Sequence, residues 1–136
     1  MVEELYISNY KSFEIHQSIM IAYSLINQNL ASKNFIKKFD ELLKNYDKVN
    51  QLTELLTHQI LICFVKTSDF SNDNVIKYFN QYSELIKKNM VKERSIWVLV
   101  SLIRKKLIDE KDPIMLKFYK DKIYEFKNLG NAMNNK

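Results

Sequence analysis

Glycine and proline occur once each in this chain of 136 residues. Ordinary proteins carry about 7% Gly and about 5% Pro, so the residues that build β-turns and phosphate-cradling loops are nearly absent. Hairpin-rich β architectures are disfavoured, and so are Walker loops, dinucleotide fingerprints and nucleophile elbows, none of which occurs. The single cysteine, Cys63, excludes an internal disulfide. With no secretory leader at its start, the chain is expected in a reducing, cytoplasmic compartment. No long hydrophobic run exists either. The longest, Ile60 to Val65, falls far short of the roughly 20 residues of a membrane helix, so a soluble protein without a membrane partner is expected.

What is present is a hydrophobic fraction of 46%, with mixed charge and a net +5. That is too apolar for a disordered chain, and the length suits one domain with a real core. The modest positive charge favours anionic partners without requiring them.

Apolar residues recur at helical spacing along most of the chain. A first helix is expected from about Ser12 to Leu30, on Ile15, Ile19, Ala22 or Tyr23, and Ile26. Within it, Ile19 to Tyr23 is apolar on every face. A second helix follows the capping residue Ser32 and runs to about Tyr46, with Phe35, Ile36, Phe39, Leu42 and Leu43 on one side. A third, on Leu52, Leu55, Leu56, Ile60 and Cys63, ends near Lys66. The polar stretch from Thr67 to Asn72 reads as a loop. A fourth helix spans about Asp73 to Asn89 and a fifth about Lys92 to Ile108. Asp112 then Pro113 mark the start of a sixth, with Gly130 as its expected left-handed terminus. Segment 1–11 reads as a frayed start, 12–130 as a single helical domain and 131–136 as a disordered tail.

Three five-residue blocks begin 40 residues apart: Phe35 to Phe39, Val75 to Phe79 and Met115 to Tyr119. Each has a lysine at its third position, and Ser32, Asn72 and Asp112 precede them at one offset. Such a period lies in the range of helical-hairpin arrays. It resembles two-helix arrays of the HEAT kind in period alone, because no repeat family's full signature is present. The expected fold is therefore all-α: five or six helices forming three antiparallel hairpins, stacked as a short solenoid or closed into a bundle. The competing reading makes Ile60–Val65 and Ile96–Val100 buried parallel strands of an α/β fold. The unbroken helical stripe leading into Ile60 argues against it.

The chemistry-bearing residues are sparse. Glu54 and His58 stand four apart on one helix face, a spacing that can share a metal, but no second ligand pair accompanies them. Cys63 lies among Ile60, Ile62 and Phe64, as a buried inert thiol does. The acid pairs Glu3-Glu4, Asp40-Glu41 and Asp109-Glu110 fall at helix edges, with no sign of a cleft to raise a pKa. No catalytic residue, metal ligand set or cofactor site is expected, and the protein reads as a non-enzyme. The basic residues offer more. Stacked hairpins would align Lys37, Lys77 and Lys117 as a ladder able to follow a phosphate backbone. Arg104, Lys105 and Lys106 form the basic cluster least diluted by acids. Tyr78, Phe118 and Tyr124 sit beside their helical stripes and are expected at a partner surface or at an interface between hairpins. The leading expectation is a small protein-interaction module or assembly subunit, binding another protein or itself. The alternative is an accessory nucleic-acid binder using the lysine-rich faces.

Overall fold

A computed structural model describes residues 14–89 and 93–134, and the described residues hold six α-helices and one 3-10 turn. No strand occurs among the described residues, and the packing is that of a helical bundle. Ile60–Val65 and Ile96–Val100 lie inside helices, so the α/β alternative fails. The chain divides into two compact units, Met1–Tyr82 and Ser83–Lys136. The expected frayed segment 1–11 lies outside the described residues.

In the first unit, α1 (Ile15–Asn27) opens with a capping box in which the Gln17 side chain accepts from the Glu14 amide at 3.0 Å. It ends without glycine. Asn29 takes the left-handed conformation instead, at φ 59°. The Leu30 amide then donates back to the Leu25 carbonyl at 2.8 Å, and the Asn29 amide to that of Ile26 at 3.1 Å. This pair of bonds is a Schellman closure, with asparagine in the position glycine usually fills. One turn onward, the Ser32 hydroxyl accepts from the Phe35 amide and starts α2 (Lys33–Asn45). Phe35, Ile36, Phe39 and Leu43 bury its inner face, each stabilising by about 1.5–3 kcal/mol. A 3-10 turn, Val49–Gln51, tucks in Val49 and Leu52. Thr53 then caps α3 (Glu54–Lys66), in which every residue from Ile60 to Val65 is buried.

Two expectations change here. Leu55, placed on the buried stripe by its spacing, is 65% exposed, while Thr57 is buried in its stead. Thr57 can be buried because its hydroxyl donates to the Thr53 carbonyl at 2.9 Å. The cap of α4 (Asn72–Asn89) is Ser71 rather than Asn72, since the Ser71 hydroxyl and carbonyl accept from the amides of Asn74 and Val75. The equal cap offset of the three blocks is lost with it. In the loop before α4, Phe70 is buried edge-on against Phe64 and Phe39, at 4.8 and 6.0 Å between ring centres.

Packing in this unit joins helices two apart in sequence. α1 packs chiefly on α3, and polar side chains tie α2 to α4. The second unit takes the end of α4 together with α5 (Glu93–Asp109) and α6 (Pro113–Asn134), which pack on each other along their length. The Asp112 carboxylate accepts from the Ile114 amide at 3.0 Å, as an N-cap before proline should. α6 does not stop at Gly130 but continues to Asn134, through four residues expected to be disordered. Gly130 has no left-handed backbone. A Cβ placed there would come within 2.9 Å of the Trp97 ring, so the glycine makes room for an indole.

Candidate functional site

The lysine ladder breaks at its middle rung. Lys37 and Lys117 are exposed. Lys77 turns inward, and its ammonium donates to the carbonyls of Tyr46 at 2.6 Å and Leu43 at 3.3 Å. Those carbonyls close the last turn of α2, which has no intrahelical donors left for them. Burial pushes the Lys77 pKa down, while the nearby Asp47 carboxylate pulls it back up. A cation committed to capping a neighbouring helix is not open to a phosphate.

Tyr78 is corrected in the same way. It is fully buried, and its hydroxyl donates to the Leu43 carbonyl at 2.9 Å. Burial raises its pKa, and its ring meets Phe64 edge-on. Phe118 is half-buried, with the Lys122 ammonium 5.6 Å from its ring centre and Tyr119 beside it. Tyr124 alone of the three expected surface aromatics stands open, at 71% exposure.

Asp40 and His58 are engaged within the fold. The Asp40 carboxylate accepts from the Ser71 amide at 3.0 Å and from the Asn74 amide side chain at 2.7 Å, locking α2 to the start of α4. Glu54 and His58 are not brought to a metal-like cluster. His58 Nδ1 lies 3.0 Å from the buried Tyr82 hydroxyl, and burial lowers the histidine's pKa. The imidazole is held in its neutral form, in which one ring nitrogen carries a proton and the other accepts, and Nδ1 is the one that shares a hydrogen bond with the Tyr82 hydroxyl. Among the described residues, no three His, Cys, Asp or Glu side chains converge on one point. Cys63 is buried, its thiol pushed up to about 12 by burial, which leaves almost no thiolate at neutral pH.

Two surfaces have the character of contact sites. One lies in the first unit, along the outer side of α1, where Met20, Ile21, Ser24, Leu25, Gln28 and Leu30 line an open groove of about 410 Å³. Met20 is 57% exposed and Leu30 60%. The Schellman closure positions Leu30, because it folds that residue back over Leu25. Reading by spacing alone missed this groove. Its signal was the stretch Ile19–Tyr23, apolar on all faces, which demands neighbours on several sides. The buried residues of α1 are Ser18, Ile19, Ala22 and Ile26, all on one side. The other surface belongs to the second unit, where Ile108 and Ile114 flank the α5–α6 turn with most of their area open. Arg104 and Lys105 are exposed on α5, with Lys106 half-exposed.

The charge is divided unevenly. Met1–Tyr82 holds eight Lys and Arg against nine Asp and Glu, a net of −1, whereas Ser83–Lys136 holds thirteen against seven, a net of +6. No helix among the described residues is long and apolar enough to cross a membrane. No protein-family model matches the chain, and comparisons with curated proteins and with solved structures find no match either.

Proposed function

We propose that this chain is a small non-enzymatic interaction module that binds a protein partner along the exposed side of α1. The observation that supports the reading most directly is the groove of Met20, Ile21, Leu25 and Leu30, an apolar face on an otherwise well-capped helix. Exposed apolar groups in one continuous patch mark interaction surfaces, and an amphipathic or doubly apolar helix is a common docking element. The test is co-purification from the native source with wild-type and Met20→Glu chains. A specific partner retained by the wild type and lost by the variant is expected, with unchanged helical circular dichroism. A wild-type chain that stays alone and strictly monomeric overturns the reading.

A second reading draws on the second unit. Its net +6 and the exposed Arg104 and Lys105 suit an accessory nucleic-acid contact. Binding of labelled DNA or RNA should then weaken steeply as salt rises, and weaken further with Arg104→Glu and Lys105→Glu together. Undetectable or salt-insensitive binding at low ionic strength removes it.

A further inference from the structure

We infer that the outward side of α6 is a binding face for single-stranded nucleic acid, with Tyr124 as the ring on which a base stacks. The inference rests on the reading of the second unit as a nucleic-acid contact, and it names the form of the polymer and the residues that meet it.

Placement is the first argument. Lys117 and Lys120 precede Tyr124 by seven and four residues on α6, and Lys127 follows it by three. At 3.6 residues per turn, the ring and the three lysines fall within about 80° of the helix circumference. Lys117 and Lys120 are exposed, Lys127 is half-exposed, and Tyr124 is open where the other described aromatic residues are buried or half-buried. Asp121 is the acid on the same side, so three cations accompany one anion there. Among the described residues, no hydrogen bond or ion pair engages Lys117, Lys120 or Lys127. Lys122, by contrast, is buried on the inner side and donates to Ser83 and Glu125. The cations of the outer face are uncommitted.

The chemistry of the partner is the second argument. From Arg104 to Lys120 the chain carries six basic residues against three acidic ones. Two of those acids are engaged with backbone at the α5–α6 turn. The Glu110 carboxylate accepts from the Asp112 amide at 3.0 Å, and the Asp112 carboxylate from that of Ile114. Positive charge thus extends along α6 and onto the exposed Arg104 and Lys105 of α5, an extent that suits a chain of phosphates better than a single anion. A ring among those lysines adds what phosphates alone do not call for, a flat apolar surface. Bases offer the matching surface when they are not stacked on one another, as in a single strand and unlike a duplex. Stacking on tyrosine tolerates any base, so little sequence preference is expected.

The test is fluorescence anisotropy of the whole chain with labelled oligo(dT), oligo(U) and a DNA duplex, each about 12 nucleotides long. One or both single strands should bind at least about tenfold more tightly than the duplex, the two arms separating DNA from RNA. Tyr124→Ala should weaken single-strand binding about tenfold, and Tyr124→Phe should leave it nearly unchanged. Lys117→Gln and Lys120→Gln should each flatten the salt dependence by one phosphate contact, about 0.7 in slope. Tyr124 is exposed, so its variants should keep the wild-type circular dichroism. A duplex bound as tightly as the single strands, or an indifferent Tyr124→Ala, overturns the inference. If Arg104→Glu with Lys105→Glu still weakens that binding, the broader nucleic-acid reading survives. Polyglutamate bound through Tyr124 in preference to the oligonucleotides makes the face a protein contact, and the inference falls. Undetectable binding of every oligonucleotide at low ionic strength removes both.

Discussion

The two units place their polar side chains differently. In the first, several serve helix ends: Asn74 at the start of α4 donates to the Asp40 carboxylate, and Lys77 and Tyr78 cover the last carbonyls of α2. In the second, the buried Lys122 ammonium donates to the Ser83 hydroxyl at 2.9 Å and pairs with Glu125 at 3.3 Å, mid-helix rather than at a terminus. The first unit is nearly neutral overall and the second is strongly basic. A near-neutral unit whose polar groups are occupied internally can leave a helix face bare of charge, which a basic unit does less easily. The contrast separates a near-neutral part from a charged part.

Three measurements break or sharpen that contrast. The largest effect is expected from Asn74→Ala, which removes a buried donor from the Asp40 carboxylate. It should cost about 2 kcal/mol by urea denaturation, as hydrogen bonds to charged groups do. Lys122→Met, its counterpart in the second unit, should cost about half as much, because the carboxylate it leaves keeps some access to water. Equal or reversed costs would erase the distinction between the units.

A smaller effect, with a change of sign, is expected at Gly130. In the wild type, Gly130→Ala drives a methyl into the Trp97 ring and should destabilise by about 1 kcal/mol, overpacking outweighing helix propensity. In a Trp97→Ala background the same change should stabilise by about 1 kcal/mol, since only propensity remains. A double-mutant cycle followed by circular dichroism measures the reversal. A glycine serving as a helix terminus would show none.

The smallest effect is the pH dependence of His58. Its folded pKa is lowered by burial, so below the ordinary value of about 6.5 the unfolded chain takes up the proton first. The unfolded state then binds more protons, and stability declines as pH falls from about 6.5 to the folded pKa. Above that window the imidazole is neutral in both states and the dependence vanishes. The urea midpoint of the wild type should therefore drop between about pH 7 and about pH 5.5 more than that of His58→Phe. Parallel slopes would mean that the ring is not held neutral against Tyr82.

Much of the fold was legible because helix periodicity is a local property. Phe35, Phe39 and Leu43 announce the buried face of α2 by spacing, and Ser32 and Asp112 announce the starts of their helices by chemistry. What escaped depends on neighbours distant in sequence. Tyr78 is buried because a carbonyl of α2, 35 residues back, accepts its proton. Lys77 is diverted by the same helix end. Gly130 answers a steric demand from Trp97 where a helix terminus was expected, and the left-handed turn falls to Asn29, which spacing did not single out. The α1 groove lay between these cases. Its apolar composition was visible, but only the fold tells which side of the helix is left uncovered.

The indole of Trp97 is the single tryptophan of the chain, and it lies against the helix backbone at Gly130. Its emission is therefore a built-in optical gauge of one event, the seating of α6 on α5. Loosening of that seat should shift the spectrum to the red as water reaches the ring, so the second unit can be watched in solution without attaching any dye.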